Sequence, residues 1–268
     1  MKHRIVYLSI ATIITASTYT HTPINQKPAP DVRHPGPDNA NFTASSFTLP
    51  KGRCYVETFP LWAQITECPT EKTYYCSYLI RVGLTDYMEL RLLGNGLTHI
   101  DTNSSRTITG FSPFNAGLKV HLWGNRDTHW IPSAGLEAYI VTPLASKDLK
   151  EGTQFACTSI FDLRCTDGLL LEWNIGAYTQ SLQPFKNKRD LYFLLEWSLQ
   201  QDITHSISLF FEGAYRSALY PKITETLLLG AGFISYITNT VAIYGSYNWS
   251  ALHKTQGELA NFGFALAF

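Results

Sequence analysis

"IRVGLTDYMELRL", residues 80–92, alternates in polarity on both sides of a turn. After the turn, Met88, Leu90 and Leu92 share one face, and Glu89 and Arg91 the other. Before it, Arg81 alternates with Ile80 and Val82, and Thr85-Asp86 reads as the turn itself. A period of two belongs to β-strands. Two architectures use strands of this kind. In a sandwich the charged face meets water; in a membrane barrel the apolar face meets lipid and the charged face a polar interior.

Composition favours the second. The chain has 268 residues, enough for one large all-β domain. Charged residues make up only 16% against roughly 25% in soluble domains, while aromatics reach 13%. Such a surface suits contact with something other than water. The 21 basic and 21 acidic residues cancel, so no field favours nucleic acid as a partner.

The N-terminus reads as an export signal over residues 1–20. Lys2, His3 and Arg4 precede the apolar "IVYLSIATIITAS" of residues 5–17, and small polar residues follow. That run is too short to span a bilayer as a helix, and no later run reaches the ~18 apolar residues required. Residues 21–50, with "TPINQKPAPDVRHPGPDNA" at 22–40, are rich in proline and poor in large apolar side chains. They are expected to form an extended periplasmic linker.

From residue 51 to 268 the texture is uniform. Strands are expected at 52–64, 73–84, 87–96, 112–123, 130–142, 155–165, 168–180, 190–201, 203–217, 223–237, 240–250 and 258–268. Short links at 85–86, 124–129, 166–168, 201–203 and 238–239 alternate with mostly longer ones such as 97–111 and 143–154. Short periplasmic turns and longer external loops are the pattern of an up-and-down barrel of the outer membrane. The runs also exceed the ~5–6 residues of a typical sandwich strand and match the ~9–11 of a tilted membrane strand. The expected fold is therefore all-β: a transmembrane antiparallel barrel of about 12 strands, in a Gram-negative outer membrane and surrounded by its lipids.

The last strand, "ANFGFALAF", puts Phe262, Phe264, Leu266 and Phe268 on one face. Its aromatic end resembles the closing strand of bacterial outer-membrane barrels. That resemblance implies the barrel-assembly machinery as a partner, through Phe268. Trp62 and Trp249 near external strand ends, and Trp123 and Trp130 around a periplasmic turn, are placed for interfacial girdles.

A narrower resemblance rests on several segments in order. These are Gly52-Arg53 at a strand start, the hairpin Arg81-x-Gly83-Leu84-Thr85-Asp86-x-x-Glu89-Leu90-Arg91, the strand motif Gly117-x-Lys119, and Pro143 closing a strand. Together they resemble an outer-membrane β-barrel family described under the MetA pathway of phenol degradation, whose members are labelled transporters. The likeness covers residues 49–268 and implies a porin-like, transporter-like barrel. The chain differs from the family at "TPLAS" (142–146) and in its cysteines.

By strand parity, Arg81, Glu89, Arg91, Lys119, Glu137, Asp162, Arg164, Glu172, Glu196, Glu212 and Arg216 face the lumen. Both signs occur, so the lining is either a pore with weak ion selectivity or a salt-bridge network filling the barrel. Cys68 and Cys76 flank the first external loop and are close enough in sequence to bridge. No metal motif, nucleotide loop or catalytic signature stands in the chain, so no cofactor and no enzymatic activity are expected. His99 and His253, with Ser104, Ser105 and Ser250, read as loop residues. The leading function is a channel for small solutes, with hydrophobic or aromatic ones in view. A structural or adhesive barrel with a plugged lumen and a lipid-modifying outer-membrane enzyme are the alternatives.

Overall fold

A computed structural model describes residues 29–67, 70–102, 107–181, 189–217, 225–252 and 257–268. The expected signal at residues 1–20 lies outside them. Strands follow in the order β1 (Cys54–Glu67), β2 (Thr70–Thr85), β3 (Met88–Thr102), β4 (Thr107–Phe111), β5 (Phe114–Trp123), β6 (Ser133–Val141), β7 (Gln154–Thr166), β8 (Leu169–Ser181), β9 (Arg189–Thr204), β10 (Ile207–Arg216), β11 (Thr226–Tyr236), β12 (Val241–Leu252) and β13 (Glu258–Ala267). A single 3-10 turn, Lys147–Leu149, is the one helical element among the described residues.

Pairing is antiparallel throughout the sheet and closes on itself. β1 pairs with both β2 and β13, β2 with β3, and β3 with β5; from β5 to β13 each strand pairs with its sequence neighbour. The ring therefore holds twelve strands. β4 stands outside it, pairing Thr107–Phe111 with Leu97–Asp101 of β3. Part of the connection expected as a loop at 97–111 is thus a hairpin. Gly96, at φ +57, carries the bend where β3 leaves β5 and turns to β4. Closure leaves no unpaired edge in the ring, which is the condition for crossing a bilayer with strands.

Side chains are sorted inside out relative to a soluble protein. Leu118, Ile140, Phe155, Ile175, Phe193, Leu199, Leu209, Phe211 and Phe262 are exposed on the outer wall. Arg81, Glu89 and Lys119 are 0% exposed on the inner wall. An apolar belt of this extent around a closed barrel is far larger than a soluble monomer leaves in water. It meets lipid, and the protein is an outer-membrane β-barrel.

Three local expectations change. The hairpin turn is Asp86-Tyr87, with Thr85 paired to Met88, one residue later than the sequence implied. The faces of the hairpin are as the alternation gave them: Arg81, Glu89 and Arg91 are buried inward, and Met88, Leu90 and Leu92 lie on the outer side. Trp62 points into the lumen instead of to an outer girdle. Pro60 has no N–H for the ladder, so the register slips between Phe59 and Trp62 against β2, and between Thr58 and Leu61 against β13. That slip reverses the parity and stacks Trp62 edge-on against Phe59 and Tyr75. Trp123, Trp130 and Trp249 remain exposed on the outside. Cys76 is a free, exposed thiol, and Cys68, the partner weighed for it, lies outside the described residues.

The belt sets a test. Ile175 lies at the middle of β8 on the lipid face. Ile175→Arg is expected to destabilise the barrel in lipid by ~2–4 kcal/mol, read from denaturant titration in vesicles. The same change at Trp130, beside a periplasmic turn, is expected to cost roughly 1 kcal/mol or less.

Candidate functional site: a lumen threaded by the N-terminal segment

Residues 29–50 are not an extended linker. They enter the barrel from its periplasmic end, turn inside it and return. The segment's composition shows only that it cannot build a core of its own. A barrel interior already supplies polar partners and an apolar wall, so proline-fixed backbone with short polar side chains fits there.

The inward path begins beside the β11–β12 turn, where the Val32 N–H donates to the Asn239 carbonyl (2.6 Å). The Tyr55 hydroxyl donates to the carbonyls of Asp31 and His34. Arg81 Nη1 donates to the Gly36 carbonyl (2.9 Å). The N–H groups of Asp38 and Asn39 donate to the two carboxylate oxygens of Glu57 (3.2 and 2.8 Å). At the tip, the Phe42 N–H donates to Glu212 in the middle of β10 (2.7 Å), and the Asn41 amide donates to Ser198 (3.1 Å).

On the way back, the Thr43 hydroxyl donates to Glu172 (2.8 Å). The hydroxyls of Ser45 and Ser46 and the Ser46 N–H all donate to Asp162 (2.9 to 3.0 Å). The Leu49 N–H donates to Glu89 (2.9 Å) and the Lys51 N–H to Asp86 (3.1 Å), back at the β2–β3 turn. The apolar residues Val32, Ala40 and Leu49 are fully buried in one cluster with Tyr55, Phe59, Phe210, Ile234 and Tyr244 of the wall. Nearly every buried N–H named here meets a wall carboxylate, which satisfies both groups at once.

Asp38 is the hub. Its Oδ2 accepts from Arg91 (2.7 Å) and Lys119 (2.5 Å), and its Oδ1 lies 3.3 Å from Arg81. Around it Arg81 also pairs with Glu89 (2.8 Å) and Glu57 (3.2 Å), and Arg91 with Glu137 (2.7 Å). Three cations thus face four carboxylates, all nearly or wholly excluded from solvent. Burial alone pushes the Asp38 carboxyl up, but Arg81, Lys119 and Arg91 outweigh it and hold the group well below the usual carboxylate range.

Of the lumen residues expected from parity, Arg81, Glu89, Arg91, Lys119 and Glu137 come together in this one network. Glu172 and Glu212 bind the segment separately, and Asp162 binds its two serines. Glu196 and Arg216 lie on the paired strands β9 and β10, opposite Ala214 and Leu194, and stand apart from this network. Sequence reasoning missed Glu57 and Asp38. The signal for Glu57 was present, since Tyr55, Glu57 and Phe59 alternate on one face. Asp38 gave none, standing alone among prolines.

The lumen holds two cavities, of which the first is lined in part by the segment and the second by wall and loop residues alone. One of about 630 Å³ opens at the periplasmic end, bounded by Arg33, Arg126, Arg164, Asp202, His205 and Tyr236. The other, about 490 Å³, lies at the external end among Tyr75, Asn95, Thr98, Asn115, Glu151 and Gln154. His99, expected in a loop, lies on β3 and bonds Thr109 on the neighbouring β4 (2.8 Å); Ser104, Ser105 and His253 lie outside the described residues.

The fold has solved counterparts. An outer-membrane channel from Pseudomonas putida F1 superposes with a TM-score of 0.66 at 11% identity, covering 83% of this chain and 98% of that one. The NanC porin superposes with a TM-score of 0.52 at 10% identity, covering 80% and 98%. At such identities the likeness concerns the fold. No family model and no curated protein sequence matches the chain, so the MetA-pathway likeness remains a resemblance of motifs. Barrel and lumen together define a class: an outer-membrane barrel of channel-like fold carrying an internal N-terminal plug.

The plug makes two tests. Gly83 faces inward directly beneath the plug's exit, and a Cβ there would run into the carbonyls of Leu49 and Pro50. Gly83→Ala is expected to leave the barrel folded while freeing residues 48–51 to protease, read by limited digestion in detergent. The second test concerns pH. A carboxyl depressed on folding lends stability above its free value near 3.8, lost only as pH falls through the lower folded value. The Asp38 tie is therefore expected to hold undiminished from neutral pH down to about pH 4, read as a constant difference in plug protease resistance between the intact protein and Asp38→Asn over that range.

Proposed function

We propose that the protein is an outer-membrane channel for small solutes, closed in its periplasmic half by residues 31–50. One observation carries this reading. The plug is held by side-chain hydrogen bonds and ion pairs from the wall, with one cavity against it and a second lined by the wall alone. Contacts of that kind exchange for water or solute without any covalent step. The inner wall also carries paired aromatic rings, Tyr178 stacked on Tyr192 at 4.7 Å and Phe59 edge-on to Tyr244 at 5.1 Å. These favour solutes with a flat apolar body. The paired charges leave little net field, which favours weak selectivity between simple ions.

The density of plug contacts favours a second reading, a closed structural barrel. Planar-bilayer recording separates the two. The channel reading expects small, brief openings from the intact protein. It expects longer openings from Glu57→Gln, which removes one charge from the pair of oxygens holding Asp38 and Asn39. A folded Glu57→Gln barrel as silent as the intact one would favour the structural reading.

A further inference from the structure

The Asp38 pocket has a property beyond closing the lumen. Lys119 has two close partners, Asp38 Oδ2 (2.5 Å) and the Ser45 carbonyl (3.0 Å), and both belong to the plug. Its nearest wall carboxylate, Glu89, is 3.9 Å away and already engaged by Arg81. Arg91 divides its donors in the same manner. Nε faces Glu137 of the wall, while Nη1 faces Asp38 of the plug (2.7 Å). Two donors on neighbouring strands therefore converge on one oxygen, with Arg81 beside the other. With the plug gone, a buried ammonium and half a guanidinium would stand without close anionic partners, a costly state.

We propose that this corner of β2, β3 and β5 is a binding site for the carboxylate of a transported solute, and that Asp38 occupies it as an internal stand-in. A small organic acid that takes the Lys119–Arg91 seat replaces the charge that Asp38 withdraws. Displacement of the plug then strands no cation. Two aromatic rings border the seat, Tyr55 against Arg81 (5.6 Å) and Tyr139 against Arg91 (6.0 Å), and would meet an apolar body attached to that carboxylate. This inference rests on the channel reading for its purpose, though the seat is testable without conduction.

The experiment uses the full chain with Asp38→Ala, which empties the seat, and Asp38→Ala/Lys119→Met, which removes its main donor. Thermal unfolding in detergent is followed with acetate, and with chloride at equal ionic strength. Acetate is expected to raise the unfolding temperature of Asp38→Ala, and to do so little or not at all in the double variant. An equal effect of the two salts, or an equal acetate effect in both variants, overturns the proposal. If Asp38→Ala does not fold in chloride, acetate-dependent folding supports the seat, and failure in both salts overturns it. Bilayer recording then adds benzoate against benzyl alcohol. Benzoate is expected to block Asp38→Ala currents at a concentration at least tenfold below that needed in the double variant, with benzyl alcohol inert. Currents indifferent to benzoate sink the seat and leave the channel standing. Acetate rescue without any current sinks the channel and leaves the seat.

Discussion

The carboxylate of Asp38, buried against Arg81, Arg91 and Lys119, ties the plug to the barrel. Desolvating three cations inside a narrow barrel is costly unless each finds an anion. The wall supplies Glu57, Glu89 and Glu137, but it leaves Lys119 poorly served. Plug and wall are thus electrostatically incomplete apart. Glu57 takes two plug N–H groups while bonding Arg81, so the same acid fixes the plug's backbone and orients the guanidinium.

The two sides of the lumen hold the plug by different physics. Strands β2 to β8 offer the three cations and most of the carboxylates; β1 and β10 to β13 offer Tyr55, Phe59, Phe210, Ile234, Tyr244 and small alanines, with Glu57 and Glu212 as the acids set among them. The plug answers each side in kind. Val32, Ala40 and Leu49 turn to the apolar arc, and Asp38, Asn41, Thr43, Ser45 and Ser46 to the polar one. Its proline and glycine content keeps it from forming a helix or strand that would claim its own N–H groups, leaving them free for the wall acids.

The barrel was legible because lipid enforces a simple rule. Each strand must present apolar side chains outward at every second position, and strand length must match the bilayer. That rule fixed the faces of 80–92 and of 258–268, and the inward set around Arg91 and Lys119. It broke at Pro60, where a lost ladder hydrogen bond shifted the register and turned Trp62 inward. The plug was illegible for another reason. No periodicity marks residues 29–50, and their partners are scattered over the chain, from Asn39 and Glu57, 18 residues apart, to Phe42 and Glu212, 170 apart. The motif residues Arg81, Gly83, Glu89, Arg91 and Lys119 were noticed as a family likeness. In the structure they are the floor on which the plug rests.

Backbone hydrogen exchange on the full chain, folded in detergent, tests the central claim most directly. Inside the barrel, the N–H groups of Asn39, Phe42, Ser46 and Leu49 donate to Glu57, Glu212, Asp162 and Glu89. They are expected to exchange orders of magnitude more slowly than a free peptide, close to the strand amides beside them. Exchange at free-peptide rates in residues 38–49, with the strands protected, would show a tether outside an empty barrel and contradict the account.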